Sequence, residues 1–279
     1  MILSKPSLSL ASASTILLLA IGCGNRPTYP KAHLAASVQQ IFDQEHISAS
    51  VRLIDHTLAV QAAFPDTLLQ ADNQITVGPA FNEAARQILT VVHRVLLSTD
   101  AEIRFYVILL SDPKTPGAYL TMVRYVEDLR RANANVIADA EFGSRTLFEV
   151  TYVEPQKAPL TLEQYVPREI HLDEFLSWQL AKRIQRALAE ELESSGVATV
   201  GRCAGEFQNG EFAFTLNVTP TAGTTLDEAE LLKVFHTSTN IIAKVLASYR
   251  FTSFNAIRLI HPATGRNLLL PKGRLEIFR

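Results

Sequence analysis

Apolar side chains recur at helical spacing in four stretches of this chain. Within 81–98, for example, Ile88, Val92 and Val95 fall on one face of a helix, as expected for a helix that packs on a core. The apolar stripe of 173–194 is the clearest, and Gly196 is placed to end that helix. The predicted helices cover 32–42, 81–98, 173–194 and 226–249.

Between these helices, short runs of β-branched and aromatic residues predict paired strands. Asn209-Gly210 is the strongest local hairpin signal, and apolar residues alternate with polar ones after it, from Phe212 to Val218. Turn-forming residues separate the other predicted pairs. These are 49–54 with 58–64, 103–110 with 119–126, and 254–260 with 268–270, with a possible last strand at 275–278.

Two segments are harder to assign. Residues 138–153 fit a short helix begun by Asp139, but their second half fits a strand equally well, and both alternatives stay open. Residues 154–170 carry three prolines without sustained periodicity, which favours a linker. The predicted domains are therefore an α+β module at 32–153, a Pro-rich linker at 154–170 and a second α+β module at 171–279.

The two modules follow one plan of helix, hairpin, helix and hairpin. Without gaps, 91–110 falls on 241–260, and nearly every helical apolar position matches. We therefore expect an internally duplicated α+β fold, with amphipathic helices packed on antiparallel sheets. The alternative is that any two amphipathic helix–strand units resemble each other at this level.

Composition limits the classes of partner and chemistry. The net charge is −2, so no basic excess is present to hold a phosphate backbone, and we expect no nucleic-acid partner. Of the two cysteines, Cys203 is most simply a small buried residue.

Catalytic and metal-binding motifs are not evident in the sequence. It contains no Gly-rich phosphate loop, no Gly-x-Ser-x-Gly, no His-Glu-x-x-His and no paired Cys-x-x-Cys. The seven histidines are scattered without an i, i+4 pair, so we expect neither a metal site nor a cofactor. They are His33, His46, His56, His93, His171, His236 and His261.

Two clusters of basic residues have both a functional and a structural interpretation. Lys182, Arg183 and Arg186 could contact an anionic headgroup or partner, but the glutamates that follow favour a solvated helix face. Arg130 and Arg131, with Arg145, could bind an acidic ligand, but a polar exit from a sheet is the simpler and favoured explanation.

The N-terminal segment differs from the rest of the chain. A single cation, Lys5, precedes an apolar run from Leu8 to Ile21, which ends in small residues at Gly22-Cys23. A charged start, a short apolar middle and a small-residue end are typical of a secretory signal peptide. The run is too short and too rich in serine to span a membrane.

With a cysteine after Leu19-Ala20-Ile21-Gly22, this segment resembles the signal and lipobox of bacterial lipoproteins. The resemblance implies that 1–22 is removed, that Cys23 becomes the acylated first residue, and that 23–31 is a lipidated tether. It also implies a location on the periplasmic side of the cell envelope. Gly24 slightly favours the outer membrane if the cell is Gram-negative, because aspartate at that position usually marks inner-membrane retention.

These observations leave two functional hypotheses of different class. The first is a membrane-tethered, non-catalytic binding or assembly module, anchored through Cys23, with a protein partner in the envelope. The alternative is a hydrolase or transferase acting on cell-wall or lipid material through dispersed carboxylates. Its candidates are Asp55, Asp112, Asp128 and Glu149. A purely structural envelope component differs from the first hypothesis only in stoichiometry.

Replacing Cys23 by alanine should abolish lipidation and move the protein out of the membrane fraction. Stable anchoring requires more than one acyl chain, which a triacylated cysteine supplies. Metabolic labelling with a clickable fatty acid measures this directly. Equal labelling of the wild type and the variant would show that Cys23 is not the anchor.

Overall fold

The computed structural model of the chain describes residues 28–71, 74–154, 161–221 and 226–275. The predicted signal peptide, Cys23 and most of the predicted strand at 275–278 lie outside the described residues.

The first module is built around a five-stranded sheet, sheet 1, with strand order β1-β2-β5-β6-β7. Helices α1 and α2 cover one face of it, and the hairpin β3–β4 is a separate two-stranded sheet. In chain order the elements are α1 Leu34–Gln44, β1 Ala49–Ile54, β2 Thr57–Ala63, β3 Leu68–Ala71, β4 Gln74–Val77, α2 Phe81–Leu96, β5 Phe105–Ser111, β6 Ala118–Tyr125, α3 Val126–Asn133, α4 Asp139–Arg145 and β7 Leu147–Tyr152.

The second module contains a four-stranded sheet, sheet 2, with strand order β9-β10-β12-β13. The strands β8 and β11 pair as a further two-stranded sheet. In chain order the elements are α5 Leu162–Tyr165, α6 Leu172–Leu192, β8 Ala198–Val200, β9 Ala204–Gln208, β10 Glu211–Thr215, β11 Val218–Pro220, α7 Glu228–Tyr249, β12 Ala256–His261, β13 Arg266–Pro271 and α8 Lys272–Leu275.

Local chemistry explains several boundaries in this module. Asn209 and Gly210 have φ angles of 53° and 78°, the left-handed conformation that a tight turn between β9 and β10 requires. Helix α7 begins with a capping box, because Asp227 accepts from the Glu230 amide at 2.8 Å and Glu230 accepts from the Asp227 amide at 3.0 Å. It ends where Arg250 turns left-handed, with φ 52°.

The expected α+β fold class is confirmed, with one difference in detail. The predicted hairpins β1–β2, β5–β6, β9–β10 and β12–β13 are all antiparallel. However, β2 pairs with β5 in parallel, and β10 pairs with β12 in parallel, so both sheets are mixed. The reason is that α2 and α7 are crossover helices, which return the chain to the end of the sheet where the preceding strand, β2 or β10, began.

The central strands of sheet 1, β2, β5 and β6, are buried on both faces. The outer face of the sheet, which includes Tyr106, Ile108 and Leu110, packs on α1 and α2. Its inner face, which includes Phe105 and Val107, belongs to the core of the second module. The rings of Phe105 and of Phe175 in α6 lie 5.2 Å apart. Helix α6, with α7 beside it, therefore lies between the two sheets and joins the modules through a shared core.

The predicted alignment at an offset of 150 holds for the helices but not for the strands. Val92, Val95, Ile242 and Val245 are all buried on their helices. In β5, however, Tyr106 and Ile108 face the helices, whereas in β12 the residues that do so are Ile257 and Leu259. Those pairs are 151 residues apart. The helix alignment and the strand alignment therefore differ by one residue. A shift of one residue places every strand side chain on the opposite face of the sheet. The two modules share their connectivity; that they arose by duplication stays a prediction.

The two ambiguous segments both contain regular structure. Residues 138–153 form a helix and then a strand, α4 and β7, so each alternative describes one half of the segment. Within the predicted linker, α5 is preceded by the N-cap Thr161, and Leu162, Val166 and Ile170 are buried in the shared core. Residues 161–170 are thus packed. Residues 155–160 lie outside the described residues.

Val95→Ala and Val245→Ala should each lower the free energy of unfolding by about 1–4 kcal/mol, because each removes a buried side chain and leaves a cavity. The two valines are 0% and 4% exposed. The neighbouring exposed residues provide controls, since Arg94→Ala and Lys244→Ala should each change it by about 0.5 kcal/mol or less. Urea unfolding measures all four variants. A valine variant that behaves like its control would show that its helix does not pack as described.

Candidate functional site

A groove of about 500 Å³ lies between the modules. Its floor is the inner face of sheet 1, at Val107, Val123 and Leu147. One wall is the segment from Tyr165 to Ile170 with one side of α6, and the opposite wall is the chain that enters β9. The α6 side chains are Glu174, Trp178, Ala181 and Lys182, and the β9 wall comprises Arg202, Cys203, Ala204 and Gly205.

The walls are fixed by contacts that cross between elements. The hydroxyls of Tyr165 and Thr121 hydrogen-bond, which ties the first wall to β6. The Ile170 amide donates to the Thr57 hydroxyl at 3.0 Å and ties the same wall to β2. On the opposite wall, a Cβ at Gly205 would lie 2.3 Å from the carbonyl oxygen of Ser177 in α6. Only glycine allows β9 to approach α6 this closely.

The groove is apolar at its floor and charged at its rim. Trp178, the only tryptophan of the chain, is 37% exposed there. Each carboxylate at the rim lies next to a basic side chain. Arg202 contacts Glu149 at 2.7 Å, and Arg168 forms a bidentate pair with Glu174 at 2.6 and 2.8 Å. Glu169 lies 3.6 Å from His171. Bidentate pairing leaves the Glu174 carboxylate engaged on both oxygens.

The four carboxylates considered for catalysis do not form one site. Asp55 lies exposed in the β1–β2 turn, whereas Asp112 follows β5 at the opposite end of sheet 1. Asp112 is buried and accepts from the amides of Thr67, Leu68 and Lys114, so it fixes the start of β3. Asp128 is buried in the network described next, and only Glu149 borders the groove.

A buried polar network joins the modules behind the groove. Arg145, at the end of α4, donates to Asp128 of α3 at 2.7 Å. The Tyr249 hydroxyl of α7 donates to the second Asp128 oxygen at 2.7 Å, and Gln179 of α6 donates to the Arg145 carbonyl at 2.8 Å. All four residues are at least nine-tenths buried. A charge buried in this way is tolerated only when it is paired and hydrogen-bonded, so the network fixes the relative position of four helices.

Tyr249 of this network, and a separate pair of titratable groups in the first module, have perturbed pKa values that fit a structural role. Burial and the neighbouring Asp128 raise the pKa of Tyr249. In the first module, burial and the charge of Arg124 lower the pKa of His93 to about 4, and burial raises the pKa of Tyr106 to about 12. His93 and Tyr106 share a 2.7 Å hydrogen bond. Both groups are therefore neutral at pH 7 inside the core.

The remaining residues considered from sequence are dispersed or engaged. Arg130 and Arg131 both contact Glu127, at 3.8 and 3.5 Å, and Arg145 is buried rather than available to an acidic ligand. Arg186 pairs with Glu190 of the same helix, as expected for a mixed-charge helix face, whereas Arg183 is largely buried and pairs with Glu141 of α4. Lys182 is exposed at the groove.

Cys203 is buried, as expected, and burial raises the pKa of its thiol, which disfavours the reactive thiolate. Within the described ranges, no group of three or more His, Cys, Asp or Glu side chains could hold a metal ion.

Comparison with known proteins provides no functional relative. No protein-family model matches the chain, and no curated protein is significantly similar to it. Across the part of the chain that the structure describes, no helix is both long and apolar enough to cross a bilayer.

Tyr249→Phe should lower the free energy of unfolding by about 1–3 kcal/mol, because it removes a hydrogen bond to the buried Asp128 carboxylate. Urea unfolding with circular dichroism measures the loss. Tyr152→Phe is the matched control, since Tyr152 is 52% exposed and should change stability little. An equal effect of the two substitutions would contradict the proposed role of the network.

Proposed function

We propose that this protein is a lipid-anchored component of the bacterial cell envelope, held to the membrane through acylated Cys23. In this proposal it acts without catalysis, as a binding or assembly module for another envelope protein. The groove between the modules is the binding surface. Support for the location comes from the lipobox-like Leu19-Ala20-Ile21-Gly22-Cys23.

The observation that carries the binding role is the chemistry of the groove. Trp178 and Tyr165 stand over an apolar floor, and Arg168 and Arg202 lie at the rim. Tryptophan, tyrosine and arginine are the residue types that contribute most binding energy at protein interfaces. The arginines form ion pairs with Glu174 and Glu149, which restrict their side chains before a partner arrives. A preordered surface loses less conformational entropy on binding.

The same groove offers less to the alternative of an envelope hydrolase or transferase. General acid–base chemistry on a sugar or ester requires a carboxyl group that can exchange a proton with substrate. Each carboxylate at the groove rim is instead paired with an arginine or histidine side chain. The candidates Asp55, Asp112 and Asp128 lie outside the groove. The arrangement therefore favours recognition.

A photo-reactive amino acid in place of Trp178 should crosslink the full-length protein to a specific envelope protein in intact cells. The control position is Leu232, which is 62% exposed on α7 and is not among the groove residues. The same partner should be absent from that control.

Trp178→Ala should then weaken binding of the purified partner by roughly 30-fold, the loss typical of a 2 kcal/mol interface residue, whereas Leu232→Ala should not. Isothermal calorimetry compares the two. Identical crosslinking from both positions, or unchanged affinity of Trp178→Ala, would contradict the proposal.

A further inference from the structure

The strand β7 forms an unusual edge of sheet 1. Three large apolar side chains alternate along it and are exposed, Phe148 at 44%, Val150 at 39% and Tyr152 at 52%. Their cross-strand neighbours in β6 are Met122, Leu120 and Ala118, which belong to the core beneath α1 and α2. The three side chains therefore share the outer face of sheet 1, and Phe148 also borders the groove at the edge of the sheet.

The same three residues direct their backbone groups outward. The Val153 amide donates to the Gly117 carbonyl at 2.8 Å, which makes 117 and 153 a hydrogen-bonded pair at the end of the β6–β7 ladder. Such pairs alternate along antiparallel strands, so 147, 149 and 151 also bond to β6. The N–H and C=O groups of Phe148, Val150 and Tyr152 consequently point away from β6. In the described part of the chain, no hydrogen bond takes up these outward groups.

The other edges of sheets 1 and 2 carry features that protect them from further pairing. Along β1, the side-chain amide of Gln39 in α1 donates to the Ala49 carbonyl at 2.9 Å. Along β9, Gly205 packs against the backbone of α6. Strand β13 contains Pro271, which has no amide hydrogen to donate. Edges are normally protected by proline, charge or a covering element.

In contrast, the sequence of β7 carries no such protection, although strand β4 lies close to it. Its sequence, Leu147 to Tyr152, contains no proline, glycine or lysine. Its single charge, Glu149, faces the groove and is paired with Arg202. A strand with these properties is suited to pair with another strand.

We propose that β7 docks a second copy of this chain, whose own β7 adds antiparallel about a two-fold axis at Val150. The argument for this occupant is that the strand is complementary to itself. A two-fold axis at Val150 places Val150 opposite Val150, and Phe148 of each copy opposite Tyr152 of the other. All three residues are those with outward backbone groups, so each exchanges both of its hydrogen bonds with its counterpart.

The side-chain pairing on both faces is favourable. On the outer face, two aromatic pairs flank a pair of β-branched residues, which are the combinations that stabilise antiparallel sheets. On the inner face, Glu149 lies opposite Thr151, so no like charges meet across the new ladder. Sheet 1 then continues without interruption from one copy into the other.

The assembly closes at two copies. Each chain has one β7, and pairing places both β7 strands inside the combined sheet. The strands left at the outer edges are the two copies of β1, where α1 lies against the sheet. A dimer is therefore the end point, and it goes beyond the proposed function because it needs no other protein.

Disulfide crosslinking in membranes from cells that express the full-length chain tests both the contact and its register. The Cα atoms of a hydrogen-bonded pair lie about 5.5 Å apart, which a disulfide can bridge. Val150→Cys should therefore give a covalent dimer after mild oxidation. Phe148→Cys and Tyr152→Cys should not, because each residue lies about 13 Å from its own equivalent, four residues along the ladder. The double variant Phe148→Cys with Tyr152→Cys should crosslink again.

The controls use the chain itself. The wild type shows how much covalent dimer its own cysteines form. Leu269→Cys places a thiol at a position of similar exposure, 47%, on β13. Absence of a Val150→Cys dimer would overturn the proposal. It would also be overturned if Leu269→Cys or either single aromatic variant crosslinked to the same extent.

A second measurement does not depend on disulfides. The detergent-solubilised full-length wild type should have the protein mass of a dimer, and Val150→Lys should have that of a monomer, because lysine at an edge strand prevents strand addition. Leu269→Lys should remain dimeric. A monomeric wild type across the accessible concentration range, or a dimeric and folded Val150→Lys, would contradict the inference.

Discussion

The structure depends on one constraint, which is that sheet 1 is apolar on both faces. Its strand β5 directs Tyr106 and Ile108 outward to α1 and α2, and directs Phe105 and Val107 inward. Each such side chain contributes about 1.5–3 kcal/mol only if it is fully buried. One helical layer can bury one face, so the inner face needs a second layer. Helix α6, which follows the predicted linker, supplies it.

The groove is a consequence of this arrangement. Helix α6 packs on the inner face, and the groove runs beside it, with Val107, Val123 and Leu147 at its floor and Trp178 on its wall. The buried network around Asp128 and Arg145 then fixes the position of α6 and α7 relative to the first module. A recognition surface on such a framework keeps its shape in the absence of a partner, which is the physical basis of the proposed binding role.

Much of the fold could be predicted from the sequence because it rests on local periodicity. The four main helices and the main hairpins follow from apolar spacing and from signals such as Asn209-Gly210. How the two modules pack against each other could not be predicted from local periodicity. Phe105 and Phe175 are distant in sequence, and nothing local shows that they meet. The parallel pairing of β2 with β5 is likewise set by how the crossover packs.

The candidate site was less accessible to sequence reasoning for the same reason. Arg145 was considered a possible ligand-binding residue, but its partner Asp128 lies on another helix, and burial of the pair is a tertiary property. Trp178 was missed, although a single tryptophan on the polar face of an amphipathic helix could have indicated it. The sequence leaves Leu147 to Tyr152 open between helix and strand, and its place at a sheet edge follows only from the strand order.

Native-state hydrogen exchange of the purified full-length protein tests most directly the claim that one shared core holds both modules and the groove between them. If α6 covers the inner face of sheet 1 as described, the slowest amides of β5 and α6 exchange through the same global unfolding event. Their opening free energies should then coincide and fall together as denaturant is added. Opening of α6 at a clearly lower free energy, while β5 stays protected, would show that the modules are independent and that the groove has no fixed shape.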